Sequence, residues 1–493
     1  MPLLKRSITM SPHNQPRTYK YTTPIPPGIE TPDTVETRVG TLRFFDGFPD
    51  DATVQAVYDN LDFQRGVQAF LAALPAADMY ALRAGIRAFG PDNQTVLITE
   101  SLLESRALFF VPNTETIYNT AWLNSKDGPL IIEVPPNVLG YINDFWSRYI
   151  VDVGRAGPDR GAGGKYLLLP PGYKGTVPDG YFVVRSRTYG NNIMFRGFVE
   201  NGDLRPAVEN TKLHFRAYPL THAENPPAMN FVDFSRQYIN AIPATDASYF
   251  ELVAHVVQEE PLDHIDSETR GLLASIGIRK GKPFAPDTRM NGILADAAAV
   301  GNATGRALVF STRDRNAYYY PKSAWKMGWI GNDYEFSPSG VLDLDARALY
   351  FYCSWGVSPA MTMKMVGVGS QYAIAEHDAA GHYLDGGKTY RLHLPPNIPA
   401  KDFWSVLVYD PQTRSMLQTD QRFPSTSSQK EGLIVNPDTS VDVYFGPESL
   451  PGKEANWIQT IPGKGWFVFL RLYGPLEPWF DKTWRPGEIE LQS

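Results

Sequence analysis

The chain has 493 residues, 43% of them hydrophobic and 20% charged, which is enough to bury more than one core and excludes a disordered or coiled-coil protein. A formal net charge of -7 leaves no basic footprint for a phosphate backbone, so nucleic acid is not expected as a partner. The single cysteine, Cys353, excludes an intramolecular disulfide and a thiolate metal cluster within the chain.

Residues 1–40 are rich in Pro and Thr, with Pro24, Pro26, Pro27 and Pro32 close together, and read as an extended arm. From Asp51 the pattern turns helical: Val54, Val57, Tyr58 and Leu61 share a face, and a second helix is expected over 76–89, giving a helical segment over 41–94. Short apolar runs bounded by Pro, Gly and Asp then predict strands at 107–111, 130–134, 146–153, 166–169 and 181–187, a first β domain over 95–225. Helical patterning returns at 250–258, at 268–275 behind a cap at Asp266 or Ser267, and at 292–309, a helical insert over 226–350. Strand signals resume at 390–394, 404–409, 432–435, 441–445 and 466–472, a second β domain over 351–493. No apolar run approaches the roughly 18 residues of a bilayer crossing, and residues 1–15 lack the apolar core of an export signal, so no membrane partner is expected and the cytoplasm is slightly favoured.

The two β regions resemble each other. DGPLIIEVPPNVLGYINDFWSRYIVD (127–152) and DGGKTYRLHLPPNIPAKDFWSVLVYD (385–410) both place an apolar strand before Pro-Pro-Asn and open another strand at Asp-Phe-Trp-Ser. Later, GYFVVRSRTYG (180–190) stands beside GWFVFLRLYG (465–474). Pro-Pro ends a ladder, Asn favours the turn, and Phe-Trp supplies large apolar area, so Trp146 and Trp404 are assigned to cores. The expected fold is mainly β with helical insertions: two antiparallel, jelly-roll-like sandwich domains related by internal duplication.

At VPNTETIYNTAWL (111–123), the glycine-rich GRAGPDRGAGGKYLLLPPGYKG (154–175) and IGIRKGKPF (276–284), the chain resembles the domain of unknown function numbered 1254. From FWSVLVYD (403–410) through LRLYGP (470–475) to Trp484 and Pro486 it resembles that domain's usual companion, numbered 1214. The resemblance implies two β-rich domains with helical elements and no settled chemistry. It also implies an Asp where this chain has Glu115, and an export signal in many look-alikes.

No G-x-S-x-G elbow, H-E-x-x-H, Walker loop or complete G-x-G-x-x-G after a strand is present, which sets aside elbow-type hydrolases, zincins, P-loop enzymes and Rossmann oxidoreductases. Asn113, Thr114, Glu115, Thr116 and Tyr118 form the densest polar cluster beside an apolar strand. A carboxylate near a phenol suits acid–base work or ligand binding, and the same letters suit a strand-initiating turn. The loop 154–165, with five glycines, Arg155, Arg160 and Lys165, reads as an anion cradle or a plain connection. Arg148, Arg185, Arg187 and Arg196 either grip a carboxylate or pair with nearby acids. His377, Asp378, His382 and Asp385 lie in a polar turn whose spacing fits no stereotyped site, so no metal and no cofactor are assigned. Asn332, Asp333, Tyr334, Asp345, Arg347 and Tyr350, between the halves, suit a pocket at a domain interface or simple filling.

The expectation is a metal-independent enzyme, a hydrolase or lyase, acting on a small polar or carboxylated molecule in a pocket between the β domains. Glu115, Tyr118, Arg148 and Arg187 are its catalytic residues, and Asn113, Thr116, Lys165, Asp333, Tyr334 and Arg347 its ligand-binding ones. Two alternatives stay open: a saccharide or small-metabolite binding protein without catalysis, and a structural module that assembles into a homo-oligomer.

Overall fold

The computed structural model describes residues 19–199 and 202–492, and residues 1–18 of the expected arm lie outside them. The chain divides into two units, residues 1–61 and 62–493. In the first, β1 (Thr34–Thr37), β2 (Gly40–Phe45) and β3 (Phe48–Pro49) form an antiparallel meander, so the stretch read as an arm ends in paired strands. Asp46 and Gly47 join β2 to β3 with φ of 46° and 85°, as a tight two-residue hairpin turn requires. Helix α1 (Asp51–Ala72) starts behind Asp50, whose carboxylate accepts from the Thr53 amide at 2.8 Å.

In the second unit, α2 (Leu74–Arg87) precedes ten strands. These are β4 (Thr95–Ile98), β5 (Thr116–Asn124), β6 (Leu130–Val134), β7 (Val138–Asp144), β8 (Tyr149–Gly154), β9 (Gly164–Leu169), β10 (Phe182–Arg185), β11 (Gly190–Phe198), β12 (Arg216–Pro219) and β13 (Asn230–Asp233). They make a six-stranded inner sheet, β13-β4-β5-β11-β7-β8, and a four-stranded outer sheet, β10-β9-β6-β12. Helices α3 (Arg205–His214), α4 (Tyr249–Glu259), α5 (Ser267–Ser275), α6 (Thr288–Phe310) and α7 (Leu344–Cys353) lie before the last eight strands. Those are β14 (Ser370–Ala375), β15 (Tyr390–Leu394), β16 (Ala400–Tyr409), β17 (Ser425–Ser427), β18 (Val441–Gly446), β19 (Trp457–Gln459), β20 (Phe467–Pro475) and β21 (Ile489–Leu491). They form an inner sheet, β14-β20-β16-β17, and an outer one, β19-β18-β15-β21. Helix and strand each take 26% of the chain and no sheet closes into a barrel, so the helices are as prominent as the strands. No single helix among the described residues is long and apolar enough to cross a membrane.

Strand alternation explains the layering. Ala121, Leu123, Ile142, Ile193 and Phe195 point from the first inner sheet toward Ile132 and Leu168 of its outer sheet and close one core. Val406, Val408, Leu470 and Leu472 do the same against Leu392 and Phe445 in the second. The other faces of both inner sheets, carrying Tyr118, Tyr141, Met194, Tyr372, Tyr409 and Phe469, meet α2, α4, α6 and α7 in a third, central core. The central inner strands are thus buried on both sides, polar positions included.

The sheets are mixed rather than purely antiparallel: β10 runs parallel to β9, β13 to β4, and β19 to β18. Each such pair needs a crossover, as residues 170–181 provide between β9 and β10. Two expected strands are absent. Residues 107–111 fill the central core with a single isolated bridge, Leu108 to Asn240, and Val111 sits at φ 36°, which ends an extended run. At 432–435 the Asn456 side chain takes over the ladder's work, accepting from the Ile434 amide at 2.9 Å and donating to its carbonyl at 2.8 Å.

The repeated motifs match in part. Asn137 and Asn397, the third residues of the two Pro-Pro-Asn turns, both adopt left-handed φ (54° and 59°), and each turn passes the chain from outer to inner sheet. The Asp-Phe-Trp-Ser segments differ. Asp144 accepts from the amides of Trp146 and Arg148, which bends the first into a turn that delays β8 to Tyr149, whereas the second lies within β16. The strands of the second motif pair also differ, since β10 is half-exposed at an outer edge and β20 is buried at an inner centre. Trp146 and Trp404 are buried in the central core and the second sandwich.

Candidate functional site

Two arginines are buried where the inner sheets meet. Arg196 on β11 is paired in register with Tyr118 on β5, and Arg471 on β20 with Tyr372 on β14, so each guanidinium leaves its sheet beside a phenol. The Arg196 guanidinium carbon lies 5.6 Å from the Tyr118 ring and 5.8 Å from the Tyr473 ring, and that of Arg471 lies 5.1 Å from Tyr372. Neither makes an ion pair with a carboxylate among the described residues. Arg471 donates through Nη2 to the Val111 carbonyl and, at 2.9 Å, to the Tyr409 hydroxyl.

Between them lies a cavity of about 60 Å³, lined by Arg196, Arg471, Tyr118, Tyr141 and Tyr372 on its polar side and by residues such as Phe109, Met194 and Phe469 on its apolar side. That is space on the order of a few water-sized groups. Four lining residues carry a buried nitrogen without a hydrogen-bond partner: Nε of Arg196 and of Arg471, and Nε1 of Trp329 and of Trp355. All four atoms are donors, so the surplus matches an acceptor-rich guest. Val111, a β-branched residue held left-handed beside this cavity by the Arg414 carbonyl at 2.9 Å, is backbone strain at the site's edge.

The electrostatics single out Tyr372. Burial pushes its phenol up, but Arg196, Arg471 and a hydrogen bond with Ser370 outweigh it and hold the group below its ordinary value. Tyr141 is raised by burial, which there outweighs the pull of Arg196. The Cys353 thiol, also on the wall, is pushed up to about 12 by burial, which removes it as a nucleophile near neutrality. Lys326 is neutralised by Glu376 at 2.5 Å.

The structure disperses the residues expected from sequence. Tyr118 lines the interior cavity. Glu115, raised by burial, faces a separate surface pocket of about 510 Å³ with Thr114 and Ser425. Asn113 forms the strand-opening turn, its Oδ1 accepting from the amides of Glu115 and Thr116 at 3.1 Å each and from the Thr116 hydroxyl at 2.9 Å. Arg148, Arg187, Tyr334 and Arg347 do come together, in an open pocket that shares no residue with the cavity. Asp333 braces that pocket's loop by accepting from the amides of Glu335 and Ser337. Lys165 pairs with Glu133 at 2.9 Å. Arg471, Tyr372, Tyr473 and Tyr141 are not among the residues that the sequence pattern singles out. The available signal was an arginine inside an otherwise apolar strand, FVFLRLYGP.

The glycine-rich loop is committed to itself. Asp159 accepts from the Gly154 amide at 2.8 Å, the Gly163 amide at 3.2 Å and the Tyr166 hydroxyl, so those amides are not free to cradle an anion. Asp159→Ala is expected to destabilise the fold by about 2 kcal/mol in urea denaturation, because buried donors lose a charged acceptor. In the polar turn, His377 stacks on Tyr383 at 4.3 Å and the His382 side chain is exposed. Among the described residues, no group of three or more His, Cys, Asp or Glu side chains is placed to hold a metal ion.

Two mixed β-sandwich regions meeting at a tyrosine–arginine cavity define the class of protein. Residues 93–219 match the family described as "Protein of unknown function (DUF1254)", and residues 369–477 that described as "Protein of unknown function (DUF1214)". The chain therefore carries both domains, in that order. It is similar to the VPA0106 protein from Vibrio parahaemolyticus, whose crystal structure aligns with 88% of this chain and 100% of that one at a TM-score of 0.54 and 17% identity, a likeness of fold. An uncharacterized protein from Burkholderia cenocepacia aligns at a TM-score of 0.39 and 12% identity, over 89% of this chain and 96% of that one. A search of the curated proteins finds no match.

Proposed function

We propose that the protein is an enzyme of the lyase kind, acting on a small carboxylated molecule held in the cavity between the two β domains. The observation that carries the reading is the pair of buried guanidinium groups, Arg196 and Arg471, that have no carboxylate partner among the described residues and converge on one cavity. Two buried guanidinium charges face at most one phenolate, that of Tyr372, and the net positive charge left over costs several kcal/mol, which a carboxylate guest offsets. A lyase suits the site better than a hydrolase, because no histidine lines the cavity and its one thiol is held protonated.

In this reading the guanidinium groups neutralise the substrate carboxylate, which acidifies the adjacent C–H bond. Tyr372, as phenolate, takes the proton. The electron pair of the broken C–H bond passes into the carboxylate, then forms a carbon–carbon double bond as a β-substituent departs with its own bonding pair. The test is incubation of short mono- and dicarboxylates with the protein in deuterated water, followed by NMR. Exchange of the proton next to the carboxylate is expected, falling about 10²-fold in Tyr372→Phe with carboxylate affinity retained. Equal exchange in the two proteins would sink the proposal.

The two sandwiches are also read as a duplicated, jelly-roll-like unit, and strand order supports this. β5 to β12 in the order β5-β11-β7-β8 and β10-β9-β6-β12 correspond one to one with β14 to β21 in the order β14-β20-β16-β17 and β19-β18-β15-β21. The parallel pair falls at the same place in each, β9 with β10 and β18 with β19. On that mapping Tyr118–Arg196 and Tyr372–Arg471 are directly opposite pairs on corresponding strands, which supports reading the site as one Tyr–Arg pair contributed twice.

A further inference from the structure

Four arginines from separate stretches converge on a solvent-open pocket of about 390 Å³: Arg148 in the β7–β8 turn, Arg185 at the end of β10, Arg187 in the loop after it, and Arg347 on α7. Arg148 is fixed by Asp144 at 2.6 Å through Nε and by the His264 carbonyl at 2.7 Å through Nη1, which leaves its Nη2 buried without a partner. Arg347 spends one nitrogen on the Ala72 carbonyl at 3.1 Å, and Arg185 one on the Tyr173 carbonyl at 3.4 Å. Among the described residues, none of Arg185, Arg187 and Arg347 makes an ion pair. The pocket's acids offer them little. Asp144 is taken by Arg148, and Asp266 caps α5 through the Thr269 amide at 2.9 Å, leaving Glu335.

Two further observations point to a ligand. Trp146 Nε1 and Ser147 Oγ, on pocket residues only 6% and 1% exposed, are buried polar atoms without partners. Beside them an aromatic wall rises, with Tyr334 packed edge-on against Tyr149 at 5.0 Å and Phe336 and Phe351 behind. Uncompensated guanidinium groups facing an aromatic wall select a ligand with an oxyanion at one end and a planar ring at the other. The volume lies within the range of small-molecule sites.

We propose that this pocket is a second binding site, distinct from the interior cavity, for an aromatic oxyanion: a ring bearing a carboxylate, sulfonate or phosphate group, with Arg187 and Arg347 gripping the anionic end and Tyr334 the ring. It does not depend on the reading of the cavity as catalytic, since no residue lines both.

The experiment is a fluorescence titration of the full chain with 8-anilinonaphthalene-1-sulfonate, beside the uncharged N-phenyl-1-naphthylamine. The sulfonate is expected to bind more tightly than the neutral dye. Arg187→Ala, at an exposed position that leaves the fold intact, is expected to weaken the sulfonate about tenfold without moving the neutral dye, the loss of one charge-assisted contact. Arg347→Ala is expected to act likewise, and Arg196→Met in the interior to change neither. Equal affinity for the two dyes, or sulfonate binding unchanged within about twofold in Arg187→Ala, would overturn the proposal.

Discussion

Replacing Arg196 by methionine is expected to leave the ligand-free protein about 1 kcal/mol more stable while weakening small-carboxylate binding by 10²-fold or more. Both effects follow from one feature. The Arg196 guanidinium is buried, its Nε lacks a partner, and it faces tyrosine rings rather than a carboxylate. An apolar side chain of similar length removes that desolvation cost, so stability rises as the anion-binding charge disappears. Arg471→Met is expected to lose binding to the same degree with the opposite effect on stability, a loss of about 2 kcal/mol, because Arg471 also satisfies the Val111 carbonyl and the Tyr409 hydroxyl. Urea denaturation of the two variants beside the parent, with calorimetric titration of the carboxylate that the exchange assay identifies, reads both quantities. Should Arg196→Met prove the less stable of the two, the guanidinium is holding the domains together rather than awaiting a guest.

Much of the fold was legible because burial writes itself into the letters. β15 alternates buried and half-buried positions from Tyr390 to Leu394, and β6 is an apolar run between turn residues, so both were placed to the residue. Helices α5 and α6 start behind Asp266 and Asp287, whose carboxylates accept from Thr269 and Met290. The β2–β3 hairpin falls at the start of the stretch read as helical, 41–94, although Asp46-Gly47 between Phe45 and Phe48 is a strong hairpin signal. Residues 107–111 have strand composition without strand geometry: their apolar side chains are demanded by the central core, and composition does not say what backbone carries them.

The site was less legible for a geometric reason. Glu115 and Tyr118 are three apart in sequence, yet Glu115 sits in the Asn113 turn before β5 and reaches the surface pocket, while Tyr118 leaves β5 toward the cavity. Closeness along the chain is not closeness in space here. Tyr372 and Arg471 are 99 positions apart and meet only because β14 pairs with β20. Their juxtaposition with Tyr118 and Arg196 needs two sheets from different domains to face each other, which no local pattern encodes.

Asp152→Asn is expected to stabilise the protein increasingly as the pH rises, the advantage growing by about 3–4 kcal/mol between pH 4 and pH 8. Burial pushes the Asp152 carboxyl up to about 7, against hydrogen bonds from Ser358 and Ala360 that favour the charged form. The folded state therefore holds this proton more tightly than the unfolded chain does. Its contribution to stability is complete below the ordinary carboxyl pKa near 4 and is lost as the pH climbs through about 7, where folding must bury a charge. Asparagine stays neutral throughout and removes that loss. Glu260, pushed up to about 7 by burial, adds a second loss of the same sign, but it accepts from the amides of Tyr189 and Gly190, so glutamine there would leave one amide facing an NH2 group. His264 works in the opposite sense. Burial pushes it down to about 4, so its contribution is present above its ordinary pKa and lost as the pH falls through 4. With two acids against one histidine, the parent is expected to lose stability on passing from pH 5 to pH 8, and Asp152→Asn to lose only a small fraction as much, because Glu260 and His264 then nearly offset each other. Urea midpoints at pH 4, 6 and 8 measure both slopes, and a gap between variant and parent that stays constant across the three would mean that Asp152 is already ionised in the folded protein at pH 4.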